Sequence, residues 1–337
     1  MIVAVDAMGG DYAPANPVAG AVKAAREEGI EIALVGDKDA IQNELGKHDT
    51  NGLPIQIVHA SEVIEMKEPT LTALRSKRDS SIRVCARLVK DGRAHGIVTA
   101  GHTGAAMVIS KTIVGNVEGV NRPALAIAVP TPKSTHPAVF LDIGANVTCR
   151  SIHLVQFAVM GNVFSRDILR VPEPRIGVLS NGEEATKGNE LVRKAVDRLS
   201  RGNFNFIGPV EGRDLFNGNC DVIVTDGFTG NAVLKAAEGI AELAFSVLKE
   251  ELLSTWVTKL AAMMMRRSFK RLKNKFDYSE YGGALLFGLK EICVICHGRS
   301  NPRAIQNAIR TAAEFFDMNV NQAIQKGIQE LYQHNII

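Results

Sequence analysis

Two distant stretches of this chain carry one pattern. Residues 97–106 read IVTAGHTGAA, and residues 223–232 read IVTDGFTGNA. Each begins with an apolar run short enough for a buried strand, turns through Gly-x-Thr-Gly and passes into a helical sequence. In the second copy Val233, Ala236, Ala237 and Ile240 share one helix face. A strand, a tight turn and a helix start form one unit of an α/β fold, because the helix must cross back over the sheet. The first amides of such a helix have no partner within it and point at whatever occupies the turn. The repeat therefore predicts two turns that face one cleft and bind an anion.

The rest of the chain fits that frame. Strands predicted at residues 2–5, 31–35, 55–59, 124–129, 138–141 and 175–179 are interspersed with helices near 17–28, 38–46 and 151–166. That alternation implies βαβ units and a mostly parallel sheet, whose ligands bind at the carboxyl ends of strands. With 337 residues, 46% apolar and 22% charged, the chain can form one large domain or two lobes around a cleft. No linker divides it, so the lobes are expected to interleave. A net charge of +3 argues against bulk nucleic-acid binding. No apolar run approaches the roughly 18 residues of a spanning helix. The opening MIVAVDAMGGD enters a strand directly and lacks the layout of a signal peptide, which predicts a cytoplasmic protein.

Several strand ends carry chemistry. Asp6 and Asp11 bracket Gly9 and Gly10, which permit a sharp turn and close approach to a ligand. These carboxylates either orient a catalytic group or cap the next helix. In the first repeated turn, Gly101, His102, Thr103 and Gly104, the histidine can serve as acid, base or neutral donor, and Thr103 is the expected N-cap. Asp142 to Val147 forms a third strand-end turn and includes Asn146. Residues 180–190 make a long polar turn in which Lys187-Gly188 resembles half of a P-loop. The G-x-x-x-x-G-K-[ST] spacing is absent, so ATP binding is unsupported. Lys187 remains able to pair with phosphate as a point charge. The cations Lys67, Arg75, Lys77, Arg78, Arg83 and Arg87 read as a solvated face or as a docking surface for an acidic or phosphate-bearing partner.

Cys293 to His297 spells C-x-x-C-H, the c-type haem attachment string, but within an apolar run of strand length. Positions three apart on a strand point to opposite faces, so buried thiols are the expected reading. Residues 252–276 hold seven basic residues and no acid, with Trp256, Leu260 and Met264 among apolar residues at helical spacing. Such a segment packs on the core or a second subunit, or lies on a membrane surface.

Seven motifs then occur in order: AVDAMGGDYAP, TAGHTGAAM, LDIGANV, KGNELVRKA, NFIGPVEGRDL, VTDGFTGNAVLK and YGGALLFGLK. Together they resemble the PlsX phosphate acyltransferases of bacterial phospholipid synthesis, over nearly the whole chain. The resemblance implies a Rossmann-like three-layer α/β/α fold related to phosphotransacetylases and isocitrate-type dehydrogenases. It implies one domain over 1–337, with an amphipathic segment, 245–277, projecting from it. It further implies a homodimer with no metal or organic cofactor. The implied reaction moves a long acyl chain from acyl carrier protein to inorganic phosphate, and a membrane glycerol-3-phosphate acyltransferase uses the product. That places the protein at the inner face of the cell membrane. His102 departs from the asparagine usual at its position in the family.

From these residues the expected catalytic set is Lys187, Asn231, Asp226, Thr229 and Asp6. Substrate binding falls to Gly9, Gly10, Gly101, His102, Thr103, Gly104, Asn146, Asn189, Gly227 and Gly230. Membrane contact falls to Trp256, Leu260, Met264, Arg267 and Lys270. Turn amides are expected to stabilise phosphate or a thioester oxyanion, with Lys187 neutralising phosphate and Thr229 and Asn231 donating to the oxyanion. Asp6, Asp142 and Asp226 orient these groups. The competing readings are a short-chain phosphotransacetylase, an NAD(P)-dependent decarboxylating dehydrogenase and a non-catalytic lipid-sensing scaffold.

Overall fold

A computed structural model describes residues 1–132, 136–184, 186–269 and 282–337. Its strands are β1 (Ile2–Asp6), β2 (Glu31–Gly36), β3 (Ile55–His59), β4 (Gly96–Thr99), β5 (Ala124–Val129), β6 (Ala138–Leu141), β7 (Ile176–Leu179), β8 (Phe206–Val210), β9 (Val222–Val224), β10 (Ala284–Phe287) and β11 (Ile292–Ile295). They join in one sheet of order β3-β2-β1-β4-β11-β10-β5-β6-β9-β7-β8. The helices are α1 (Ala15–Glu28), α2 (Lys38–Leu45), α3 (Thr70–Ser76), α4 (Ser81–Lys90), α5 (Thr103–Ile113), α6 (Ser151–Val163), α7 (Glu190–Leu199), α8 (Asp214–Asn217), α9 (Gly227–Leu252), α10 (Trp256–Met264), α11 (Pro302–Asp317) and α12 (Val320–Gln333).

Alternation along the strands fills both faces of the sheet. Val3 and Val5 face a layer built by Val18 of α1, Leu154 of α6 and Ile305 of α11. Ala4 and Ile97 face a second layer built by Leu88 of α4 and Ile109 of α5. The result is the expected α/β/α sandwich with a mostly parallel sheet. Local signals place the helix starts: Asp37 accepts from Ala40 N at 2.8 Å, and Asn301 accepts from Ala304 N at 2.9 Å ahead of Pro302. The helix predicted to reach residue 166 instead loosens into a π turn at Phe164–Ile168.

The strand directions overturn one expectation. β4 and β11 are parallel, as are β6 and β9. Between these pairs lie three antiparallel steps, β11–β10, β10–β5 and β5–β6. An odd number of reversals turns the second half of the sheet over. β4 and β9 therefore end at opposite edges, separated by five inter-strand spacings of about 4.8 Å each. The two repeated turns do not share one cleft within this chain.

Helix α9 begins at the edge where β9 ends. Its 26 residues span about 39 Å, and its far half meets the loop between β11 and α11 at the other edge. Only Gly227 and Gly230 of α9 are buried, and no residue of α10 is. The two helices are thus largely exposed, and they cover the described first part of the segment expected to project, 245–277. No helix among the described residues is long and apolar enough to cross a membrane.

Candidate active site

At the first edge, β1 and β4 lie side by side and deliver Asp6 and Thr99 to one buried point. Thr99 Oγ1 donates to Asp6 Oδ2 at 2.7 Å and accepts from Gly101 N at 3.0 Å. Met8 N donates to Asp6 Oδ1 at 3.2 Å. Burial pushes the Asp6 carboxyl up, against hydrogen bonds from Ser81, Thr99, Met8 and Gly9 that pull it down. Asp6 thus orients the first turn through Thr99, and it caps no helix. Thr99 belongs to the repeated pattern, so its role was legible in principle and was missed. Gly9 packs against Asp6 and Gly101 so closely that a Cβ would lie 2.7 Å from each.

The helix that follows is capped one residue earlier than expected. His102, not Thr103, is the N-cap of α5, and its Nδ1 accepts from Ala105 N at 3.3 Å. That bond requires Nδ1 to be unprotonated, so a neutral His102 carries its proton on Nε2. Gly101 N and Ala105 N are thereby occupied, and Ala106 N donates to His102 O. The amides of His102, Thr103 and Gly104 have no partner among the described residues, and all three residues are half-exposed. The enclosed space behind them, between Asp6, Ser81 and His102, is only about 10 Å³. It is too small for phosphate, so an anion reaches these amides from the outer side.

The second edge is arranged differently. Asp226 caps α9, with Oδ1 accepting from Thr229 N at 2.9 Å and Oδ2 from the Thr229 hydroxyl at 2.8 Å. Gly227 N donates to Asn146 O at 2.8 Å, and Gly230 N to Asp226 O at 2.9 Å. Three of the four amides at 227–230 are thus occupied by the protein, with Phe228 N alone lacking a partner among the described residues, and the Thr229 hydroxyl hydrogen is committed. Asn146 is spent as well: its Nδ2 donates to Pro123 O at 2.7 Å and to Asp142 Oδ2 at 2.8 Å. Asp142 is fully buried and accepts from Leu125, Gly144, Ala145 and Asn146 amides. Burial pushes its carboxyl up against these donors. It holds the loop that seats α9.

Beside this framework, Asn231 is exposed and its side chain faces Gly144. Lys187 is also exposed, at the end of the neighbouring β7, with no ion pair among the described residues. Asn189 caps α7 by accepting from Val192 N at 2.9 Å. Lys187, Asn189, Asn231, Asp226 and Thr229 therefore share one edge, while Asp6, Gly9, Gly10 and 101–104 share the other.

The remaining candidates sort by burial. Cys293 lies in one core layer and Cys296 in the other, on opposite faces of the sheet. Burial pushes both thiols up to about 12, and Cys149 to about 11, so none is a nucleophile at neutral pH. Of the cationic run, Lys77 pairs with Glu68 at 2.7 Å and Arg87 with Asp79 at 3.6 Å. Arg75 and Arg78 stand exposed without an ion pair among the described residues. On α10, Trp256 is 78% and Met264 83% exposed, with Leu260, and Arg267 just beyond the helix, also in solvent. Lys270 and residues 271–277 lie outside the described residues.

The chain was compared with known proteins. The profile of the "Fatty acid synthesis protein" family matches residues 1–323. The phosphate acyltransferase of Nitratidesulfovibrio vulgaris is 50% identical over 97% of this chain and 94% of its own length. That of Geobacter sulfurreducens is 50% identical over 98% and 94%. Among solved structures, a phosphotransacetylase from Streptococcus pyogenes superposes with a TM-score of 0.64 at 19% identity, covering 94% of each chain. A 4-hydroxythreonine-4-phosphate dehydrogenase from Klebsiella pneumoniae gives 0.51 at 14% identity, covering 96% and 99%. At these identities the structures speak to the fold alone, and they agree with the sandwich described above. Motifs, fold and near full-length identity converge: this chain belongs to the PlsX family of phosphate acyltransferases, enzymes that transfer acyl groups to phosphate.

Proposed function

We propose that this enzyme takes a long acyl chain from an acyl carrier protein thioester, places it on inorganic phosphate and releases acyl phosphate for phospholipid synthesis. One observation carries the reading: α5 opens with three accessible amides, His102 to Gly104, that no group among the described residues occupies. Adjacent N–H donors at a helix start suit a phosphate dianion or the oxyanion formed at a thioester carbonyl. Phosphate is already nucleophilic and a thioester already activated, so positioning and charge stabilisation suffice. A phosphate oxygen bonds to the carbonyl carbon, the C–S bond breaks, and sulfur leaves with the electron pair. The proton of hydrogen phosphate ends on that sulfur. Asp6, acting through Thr99, keeps the turn in place. Exposed Arg75 and Arg78 suit an acidic carrier surface.

A specific observation supports a second reading of the phosphate site. Lys187 is an exposed cation without an ion pair among the described residues, on the same edge as Asn231. In that reading Lys187 neutralises phosphate and Asn231 donates to the oxyanion, with Asp226 and Thr229 holding the helix start. Incubation with palmitoyl carrier-protein thioester and phosphate, with acyl phosphate trapped by hydroxylamine, tests both. Thioester loss that does not depend on phosphate would sink the proposal. Full turnover in Lys187→Ala assigns phosphate to His102–Gly104. A loss beyond about tenfold at unchanged melting temperature assigns it to Lys187.

The projecting helices support the remaining parts of the reading. Ile240, Leu243 and Val247 lie exposed along one face of α9, as a homodimer contact requires. Trp256, Leu260 and Met264 beside Arg267 suit the inner face of the cell membrane. There a cytoplasmic, peripherally bound enzyme hands its product to a membrane glycerol-3-phosphate acyltransferase. Sedimentation with anionic vesicles reads this directly, and failure to sediment refutes it.

A further inference from the structure

Helix α9 is apolar on two opposite faces. Ile240, Leu243 and Val247 form the open one. Phe245, Leu248 and Leu252 recur at the same helical spacing on the other side and line a groove. Ala262 and Phe269, on and beyond α10, form its second wall, and the loop from His297 to Asn301 closes one end. The groove holds about 1190 Å³. That is far more than an acetyl group needs, and it runs along several turns of α9.

The closed end is polar and incomplete. Ser300 is 7% exposed and lines the groove, and its Oγ is itself buried with no hydrogen-bond partner among the described residues. A buried hydroxyl without a partner is costly unless a ligand completes it. The loop also touches the first turn. Gly10 sits between them with φ +104°, where a Cβ would lie 3.0 Å from Gly298 O and 3.1 Å from the Ala100 Cβ. Asp11 N donates to Gly298 O at 2.8 Å, and Arg299 lies 3.8 Å from Asp11. The polar end of the groove therefore adjoins the turn that carries the free amides.

Building on the proposed function, we infer that this groove is the acyl-chain site. The chain lies between α9 and α10, and the Ser300 hydroxyl donates to the acyl carbonyl oxygen. The apolar stripe of Phe245, Leu248, Leu252, Ala262 and Phe269 matches a fatty acyl chain, while Glu238, whose buried Oε1 is also unsatisfied, and Glu242, Lys249 and Arg266 share the lining. The same geometry predicts a preference for longer chains, because each added methylene gains wall contact.

The test fills the groove and varies the chain. Ala262→Trp, and independently Ala241→Trp from the α9 wall, are assayed with palmitoyl and butyryl thioesters and phosphate. Ala241 also lines the groove. The expected result is a fall in kcat/KM of about tenfold or more for palmitoyl and less than about twofold for butyryl. Equal losses for both chains, or no loss for either, overturn the inference. Binding of the fluorescent fatty acid cis-parinaric acid is measured on the same proteins without turnover. Wild-type binding that both variants lose supports the groove even if the wild type consumes no thioester, a result that would refute only the proposed reaction. Parinaric acid binding retained in both variants refutes the groove alone. Ser300→Ala is expected to lower kcat for palmitoyl and butyryl alike while parinaric acid binding persists. Unchanged kcat removes Ser300 from the site.

Discussion

The two repeated turns share seven of ten positions, yet they do different things. One difference accounts for most of this. The first copy has Ala100 where the second has Asp226. Asp226 caps its helix at once, so α9 starts at Gly227 and the cap consumes Thr229 N and its hydroxyl. Ala100 has nothing to cap with. The helix start moves to Thr103, His102 becomes the cap, and three amides stay without a partner among the described residues. The second turn is also sealed by Asn146 O, a group the first turn lacks. A motif match therefore reports local conformation, while the occupancy of its amides depends on one side chain and one distant carbonyl.

The largest expected effect comes from the glycines at matching positions. A Cβ on Gly230 would lie 1.9 Å from Asp142 O, whereas a Cβ on Gly104 would meet Thr70 Oγ1 at 3.0 Å. Backbone cannot yield as a side chain can, so Gly230→Ala is expected to cost more than about 3 kcal/mol and Gly104→Ala less than about 1 kcal/mol. Urea denaturation midpoints check this, and equal costs would erase the distinction between the turns.

Next comes conversion of the first turn into the second. Ala100→Asp puts a carboxylate where it can take the Thr103 amide and repel phosphate. The KM for phosphate is expected to rise about tenfold or more. Ala100→Asn, of the same shape without the charge, is expected to do less. A phosphate KM that both variants leave at the wild-type value would remove the free amides from the mechanism. The reverse change, Asp226→Ala, is expected to cost about 1–2 kcal/mol as a lost cap.

The smallest effect is a response to acid. His153 lies in α6, behind the second edge, and its Nδ1 accepts from Arg150 N at 3.1 Å. Burial first, then Arg122, Arg150 and Lys111, push its pKa from 6.5 down to about 4. The folded state thus binds the proton less readily than the unfolded chain does. The stability due to neutral His153 is complete above about 6.5 and is lost as pH falls toward about 4. The melting temperature is expected to drop between pH 7 and 5, and less so in His153→Gln. An identical drop in that variant would assign the acid sensitivity elsewhere.

Much of the fold was legible because its causes are local. β-branched runs, the caps Asp37 and Asn301, and glycines at strand ends act over a few residues. They marked most elements within a residue or two. The burial of Cys293 and Cys296 on opposite faces followed from strand periodicity alone. The site was legible only as an inventory. Asp6 stood out beside its glycines, and Thr99 sat within the repeated pattern, but that the two meet depends on the pairing of β1 with β4, and Ser300 carries no local mark.

What the sequence determined by itself was the kind of unit: strand, tight turn, helix, twice over, in an α/β chain. Tertiary structure alone decided where those units face. Three antiparallel pairings in mid-sheet reverse the second half, and pairing direction depends on contacts between segments far apart in the chain. It also decided which amides remain free, because the carbonyl that fills Gly227 N arrives from Asn146, on a different strand end. Short-range preferences encode conformation. Hydrogen-bond occupancy and facing direction come from long-range packing, which no ten-residue pattern contains.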